Sequence, residues 1–196
     1  MKEHRVLGVV LDQEMKWESN IRSLCKKLSR NVYLLSKLSR YASKDALMMF
    51  YHAHIMSYVN YASSLWDGSG EVHLKKLNSL HRRAAKIIEK GNNLSTEGKQ
   101  KKLGMLPLKK QFIYNKAILM YKTFHGDVPK YLSSLFRKAP SRYNSLNFIL
   151  PYARIDLYQN SLAFSGASTW NSLPANIKDS SSLVTFKKKV FEMLVK

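Results

Sequence analysis

Apolar and polar positions alternate along this chain with two different periods. Val6 to Leu11 is a short, mostly β-branched apolar run with charged residues on either side, a pattern that favours a strand over a helix. The pattern reveals no second strand, so we expect this one to pair with an unrecognised segment or to lie against helices as an irregular edge. From Ser19 onward the apolar period becomes helical.

Two predicted helices of the N-terminal half have one apolar face and one basic face. The first, from Ser19, carries Ile21, Leu24, Cys25, Leu28, Val32, Leu35 and Leu38 opposite Arg22, Lys26, Arg30 and Lys37. The other, which opens at Glu71 and stops at Gly91, carries Leu74, Leu77, Leu80, His81, Ala84, Ile87 and Ile88 opposite Lys75, Lys76, Arg82, Arg83, Lys86 and Lys90. Such patterns are typical of helices that pack by one side and expose the other.

A further helix is predicted between these two. Ser43 is a plausible N-cap, and the helix should end before Asp67 and be buried nearly all round. The stretch from Ala46 to Trp66 has no formal charge over a length that could span a bilayer. Its polar residues, among them His52 and His54, favour a buried core helix instead.

The C-terminal half is predicted to be helical as well. Residues 91–102 are polar and without period and predict a linker, Leu108 to Phe124 and Ser182 to Val195 predict helices, and Ala139 to Asn160 is turn-rich and unassigned. The predicted fold class is mainly α: a helical bundle with a short N-terminal strand and a smaller helical C-terminal region. The predicted divisions are a strand and connector at 1–18, a helical domain at 19–90, the linker at 91–102 and a basic helical region at 103–196.

The charge of the chain points to a polyanionic partner. Lys and Arg number 33 against 13 Asp and Glu, which gives a formal charge of +20 and a pI near 10. A basic surface of this strength is typical of nucleic-acid-binding proteins, which we favour over a membrane-surface role. A solvated surface that only keeps the chain soluble is the simpler alternative.

The residues offer little support for catalysis. Two-metal polymerases and nucleases need carboxylates that converge on ions about 4 Å apart, whereas the acids here are scattered over different predicted segments. Cys25 is the only cysteine and falls on an apolar helix face, which favours core packing over a nucleophilic role. No histidine or cysteine spacing typical of zinc is present, and we expect no cofactor and no catalytic residue in this chain.

The basic helix faces are the predicted binding site. Backbone phosphates should contact the first helix and the third helix through Arg22, Lys26, Arg30, Lys75, Arg82, Arg83 and Lys86. Phosphate contacts position a protein without reading sequence, so we expect little sequence preference. Tyr33 and Tyr41 could stack on bases if they are exposed, although burial is the usual fate of aromatic residues.

The order of several short motifs resembles non-LTR (LINE-type, jockey-like) retrotransposon reverse transcriptases, nearly from end to end. In the N-terminal half the resemblance is carried by Val6 to Asp12 with Trp17 and Ile21, Phe50 to Ile55, Tyr58 to Trp66, and Leu77 to Ile88 with its Arg82-Arg83-Ala84-Ala85-Lys86 core. In the C-terminal half it is carried by Leu103 to Leu108, Tyr121-Lys122, His125 to Leu132, Phe164 to Ala167, Trp170 to Pro174 and Phe186-Lys187.

The resemblance implies that residues 19–90 correspond to the thumb, which holds the template-primer duplex, and that 103–196 form a C-terminal extension. The family's catalytic Asp-Asp motif lies upstream of the strand at which the similarity begins, so no catalytic residue carries over. The whole polymerase of the family would use Mg²⁺ together with fingers and palm that are missing here. Cys25 is the only cysteine and can form no internal disulfide, so nothing points to an oxidising compartment, and we expect an intracellular protein of the nucleus or cytoplasm.

Two other hypotheses remain open at this point. The chain could be a protein-interaction module, or a relic whose basic faces merely keep it soluble, and the unpaired strand at residues 6–11 favours that view. It could also be part of a longer product that polymerises DNA when whole.

Overall fold

In the computed structural model, which describes residues 3–91, 93–140 and 146–195, the N-terminal apolar run forms a hairpin. Strands β1 (Glu3–Val6) and β2 (Val9–Asp12) pair antiparallel, with Val6 opposite Val9. Leu7 and Gly8 connect them with positive φ angles of 47° and 86°, which suits a tight two-residue turn. The prediction of one unpaired strand is therefore wrong, because Gly8 divides the run and the charged segment before it supplies the partner.

The chain divides into two compact units, Met1–Leu108 and Lys109–Lys196. After the hairpin, the first unit contains α1 (Glu18–Leu38), α2 (Lys44–Tyr51), a π-helical turn (His52–Met56), α3 (Ser57–Asn60), α4 (Ser63–Trp66), α5 (Glu71–Ile88) and α6 (Thr96–Lys102). The division falls after α6 and not within 91–102, the range in which the sequence predicted a linker.

Helices α1 and α5 are the largest packing partners in the first unit, and their apolar faces agree with the predicted pattern. Ile21, Leu28 and Val32 of α1 and Leu77 and Ala84 of α5 are almost completely buried. The predicted amphipathic helices at these positions are therefore confirmed, and together they supply about half of the buried apolar residues of this unit.

The helix predicted between α1 and α5 differs in two ways. Helical backbone runs without a break from Lys44 to Asn60, with the π-helical turn within it, and is then interrupted at Ala62, which has a φ of 52°. It is also not buried all round, since Met49 is 73% exposed and His52 and His54 face solvent. The predicted cap is correct: the Ser43 side chain accepts a hydrogen bond from the backbone N–H of Ala46.

Part of the predicted linker is helical. Residues Thr96–Lys102 form α6, which packs on α5, and the Ser95 hydroxyl accepts a hydrogen bond from the backbone N–H of Gly98 at the start of α6. Residue 92 lies outside the described residues. The segment has few apolar residues to show a helical period, which explains why the sequence favoured a linker.

The second unit is built around an aromatic core. Its helices are α7 (Leu108–His125, from the unit boundary), α8 (Lys130–Ser133), α9 (Asp156–Gln159), α10 (Leu162–Asn171), α11 (Ala175–Lys178) and α12 (Leu183–Val195). Trp170 is fully buried, with Phe124 and Phe186 stacked at centroid distances of 5.2 and 5.9 Å. The helices predicted at Leu108 to Phe124 and Ser182 to Val195 are confirmed, and so is the mainly α fold class.

The turn-rich segment from Ala139 to Asn160 has little regular structure where it is described. Lys138 and Phe148 form an isolated antiparallel bridge, and α9 follows further along. Asn171 of α10 anchors this segment, because its side chain accepts from the backbone N–H of Phe148 and donates to the carbonyl of the same residue. Residues 141–145, which belong to the same prediction, lie outside the described residues.

Candidate nucleic-acid interface

The predicted phosphate contacts on α1 share one exposed face. Arg22, Lys26 and Arg30 are all exposed and are spaced four residues apart, so they lie above one another on the side of α1 opposite the core. Arg22 donates to the Glu18 carboxylate over a distance of 2.5 Å. Because both side chains of this pair are well exposed, the ion pair contributes little and leaves Arg22 able to exchange Glu18 for a phosphate.

The basic residues of α5 form two rows. Lys75, Arg82 and Lys86 follow one another at spacings of seven and four residues, and each is exposed. Arg83 stands midway between Lys76 and Lys90, seven residues from each, and belongs to the second row. Since neighbouring residues of an α-helix are about 100° apart, the two rows lie about a quarter of a turn from each other.

One hydrogen bond and one electrostatic interaction indicate how α1 and α5 lie together. Lys90 donates from Nζ to the backbone carbonyl of Ser39 at 3.3 Å, just beyond the C-terminal end of each helix. Near the opposite end, burial raises the pKa of the Cys25 thiol and the ammonium of Lys76 partly offsets that rise. Both pairs are separated by 51 residues in the sequence, so the helices run parallel with their C-terminal ends together.

The seven predicted residues do not form a single row on α1 and α5. Arg83 lies between Lys76 and Lys90, in the row that borders α1, and so stands beside the helix that carries Arg22, Lys26 and Arg30. The row formed by Lys75, Arg82 and Lys86 lies on the neighbouring side of α5. The row of Arg83 is therefore the one nearer α1, whereas Arg22, Lys26 and Arg30 lie on the side of α1 opposite the core, and Lys75, Arg82 and Lys86 form a separate row.

The electrostatic balance on these two helices is one-sided. Together α1 and α5 contain ten Lys or Arg and two acids, Glu18 and Glu71, each in the first turn of its helix. Acids at that position stabilise the helix N-terminus and leave the rest of the face basic. A row of exposed cations without interspersed acids attracts polyanions and releases counterions when phosphates replace them.

A buried polar network beneath α5 was not foreseen from the sequence. The Tyr51 hydroxyl lies 2.7 Å from Nε2 of His81, and the side-chain nitrogen of Gln100 lies 3.0 Å from Nδ1. Burial lowers the pKa of His81 to about 4, so this imidazole is neutral at pH 7 and adds no charge to the basic face. The sequence did place His81 on the apolar side of its helix, and the structure confirms that position. Its partners come from α2 and α6, and no local pattern connects them.

Glu89 neutralises two of the nearby lysines. Its buried carboxylate contacts Nζ of Lys44 and Nζ of Lys102, each at 2.5 Å. Hydrogen bonds from Lys102 and then Lys44 lower the pKa of Glu89 to about 2. These contacts join α6 and the N-terminal end of α2 to the C-terminal end of α5. They thereby fix α2 and α6 beneath the helix that carries the basic rows.

The first unit also has a small pocket between the hairpin and the helices. It has a volume of about 50 Å³ and is lined among others by Gly8, Asn20, Lys27, Tyr58 and Trp66. Ligand pockets are usually about 300–1,000 Å³, so this one is too small for a nucleotide or an organic cofactor.

The described part of the chain has neither a cluster of metal-ligating side chains nor a membrane-spanning helix. Across residues 3–91, 93–140 and 146–195, no group of three or more His, Cys, Asp or Glu side chains is placed to hold a metal ion. In the same part of the chain, no helix combines the length and apolar character needed to cross a membrane.

Comparison of the chain with protein-family models, curated proteins and solved structures finds no match. The resemblance to retrotransposon reverse transcriptases therefore rests on the sequence motifs alone and stays a prediction.

Proposed function

We propose that this chain binds nucleic acid through the basic faces of α1 and α5, contacts the phosphate backbone with little sequence preference, and does not catalyse a reaction by itself. On this proposal the chain is a fragment of a retroelement RNA-directed DNA polymerase that has the thumb-like region and lacks the palm, and it acts in the nucleus or cytoplasm. One observation carries it: two parallel helices expose ten Lys or Arg, with acids only in their first turns.

The alternative of an interaction module or relic has lost its main support. That hypothesis relied on an unpaired strand at residues 6–11, whereas β1 and β2 pair with each other in a hairpin. No feature of the described residues favours it over phosphate binding, and it becomes an outcome of the test below.

The test is the binding of a fluorescein-labelled RNA–DNA hybrid duplex, followed by anisotropy over a salt series. If about six phosphates are contacted, log K should fall with log salt concentration with a slope near −5. Micromolar or tighter binding at low salt with that slope supports the proposal. A folded chain that does not bind at low salt contradicts it and returns the interaction-module hypothesis.

Charge reversal locates the binding face. Arg82→Glu combined with Arg83→Glu should weaken duplex binding by well over tenfold, because it changes one residue in each row of α5. The matched control is Lys187→Glu with Lys188→Glu, which makes the same change of net charge at exposed positions of α12. Equal losses in the two variants would mean that binding depends on net charge and not on the α5 face.

A further inference from the structure

Two tyrosines stand exposed on the basic side of α1. Tyr33 is 58% exposed and Tyr41 is 90% exposed, whereas Tyr51 and Trp66 in the same unit are completely buried. Neither ring is among the buried residues of the first unit.

The rings are interleaved with cations. Lys26, Arg30, Tyr33 and Lys37 follow at spacings of four, three and four residues, which places them along one stripe of α1 opposite its buried face. Nζ of Lys37 lies 5.3 Å from the centroid of the Tyr33 ring, in cation–π contact. We refer to these four residues with Tyr41 as the α1 stripe.

Tyr41 continues the stripe past the end of the helix. Its backbone N–H donates to the carbonyl of Leu38 in the turn that closes α1, and the neighbouring Arg40 is also exposed. Tyr33 lies five residues before the last residue of α1, about 8 Å along the helix axis at 1.5 Å per residue, and Tyr41 lies three residues beyond that end in the turn. A few unpaired nucleotides can bridge this stretch with bases on both rings.

We propose that the α1 stripe binds single-stranded nucleic acid, with bases stacked on Tyr33 and Tyr41 and phosphates held by Lys26, Arg30 and Lys37. Bases inside a duplex already stack on one another and offer no free face, so the tyrosines favour unpaired strands over paired ones. The inference rests on the proposed function in taking nucleic acid as the partner class, and it adds a recognition of unpaired bases that phosphate contacts cannot supply.

The charge along this segment favours a polyanion, and the exposed tyrosine rings favour one that has aromatic bases. From Ser19 to Lys44 the sequence has seven Lys or Arg and no Asp or Glu. An acidic polypeptide matches the charge but gains little from two separated, solvent-exposed rings, whereas base stacking on aromatic side chains is a general source of affinity for single strands.

The experiment compares three fluorescent probes: a single strand of about twelve nucleotides, an abasic strand of the same length, and the blunt RNA–DNA duplex. Tyr33→Ala with Tyr41→Ala should weaken binding of the single strand at least about tenfold and leave the abasic strand and the duplex unchanged. Tyr33→Phe with Tyr41→Phe keeps both rings and should retain the affinity. The matched control is Tyr131→Ala with Tyr152→Ala, which removes rings that are 77% and 85% exposed in the second unit.

Each outcome decides between the two proposals. Unchanged single-strand binding by the alanine variant, or an equal loss on the abasic strand, overturns the stripe even if duplex binding holds. Tyrosine-dependent binding of the single strand without any duplex binding supports the stripe and overturns the duplex-binding proposal. Displacement of the single strand by poly-glutamate as readily as by unlabelled strand overturns base stacking and assigns the surface to acidic polypeptides. Circular dichroism of every variant confirms that the helices are intact.

Discussion

The Tyr51 hydroxyl lies 2.7 Å from Nε2 of His81, and both side chains are buried in the first unit. The Gln100 amide nitrogen can donate only to an unprotonated Nδ1, so the tautomer that satisfies both neighbours is neutral, with its hydrogen on Nε2 donated to the Tyr51 oxygen. Protonation of His81 would put a second N–H against the Gln100 amide and charge a buried ring. The network therefore holds α5 from beneath its basic face and disfavours protonation of His81.

We predict that stability falls as the pH drops from 6.5 to 4. The pKa of His81 is lowered from 6.5 to about 4, so the unfolded chain binds the proton first within that interval. The stabilisation is complete above pH 6.5 and lost as the pH approaches 4, with a total of about 3 kcal/mol in the free energy of unfolding. Urea denaturation at several pH values measures it. His81→Gln should flatten the dependence, whereas His54→Gln, at an exposed position, should leave it intact.

Glu89 provides a second acid-dependent contribution in a lower pH window. Its pKa falls from 4.5 to about 2, so its contribution is complete above pH 4.5 and is lost as the pH falls toward 2. Glu89→Gln should lower the thermal midpoint at neutral pH, because Lys44 and Lys102 lose their buried partner. The gap between variant and wild type should close in acid. If the difference in thermal midpoint stays constant down to about pH 2, the contacts with Lys44 and Lys102 do not cause the loss of stability.

The sequence predicted the elements whose apolar residues recur with a helical period. Helices α1, α5, α7 and α12 were found in this way, because burial of one face is what creates the period. Strand β1 was missed since Glu3, His4, Arg5 and Val6 are all exposed and leave no apolar pattern. The break at Ala62 depends on a positive φ that alanine seldom adopts, so the residue type did not indicate it.

The candidate site was predictable in its residues and not in its arrangement. Helical spacing placed Arg22, Lys26 and Arg30 on the exposed side of α1, and the structure agrees. That the row of Arg83 ends at Lys90, which contacts the end of α1, follows from the packing of α1 and α5, and this packing joins residues 51 positions apart in the sequence. Phosphate binding by the two basic rows of α5 stays a prediction.

The connection between the hairpin and α1 should depend on Asp12. Its carboxylate accepts hydrogen bonds from the backbone N–H groups of Glu14, Lys16 and Trp17, at 3.1, 2.9 and 2.7 Å. Asp12→Ala leaves three donors without that acceptor and should lower the free energy of unfolding by about 2–3 kcal/mol. Asp45→Ala removes an exposed acid from the first turn of α2 and should cost less than about 1 kcal/mol. Equal losses in chemical denaturation would contradict the role of Asp12 in holding this connection.

One added methyl group at Gly166 should destabilise the core of the second unit. A Cβ built there would lie 2.8 Å from Sδ of Met120 and 3.3 Å from Cδ1 of Leu162, and Met120 is itself completely buried. Gly166→Ala should therefore cost about 1–3 kcal/mol through overpacking, even though alanine favours the helix.

Gly98→Ala is the matched control, because it changes the same residue type within α6, where the nearest atoms lie at an ordinary 3.4 Å. There the gain in helix propensity should stabilise the chain by about 0.5–1 kcal/mol. Urea unfolding of the two variants, followed by circular dichroism, should thus give shifts of opposite sign. A Gly166→Ala variant as stable as wild type would show that Met120 can repack, and that the α7–α10 contact is looser than the structure describes.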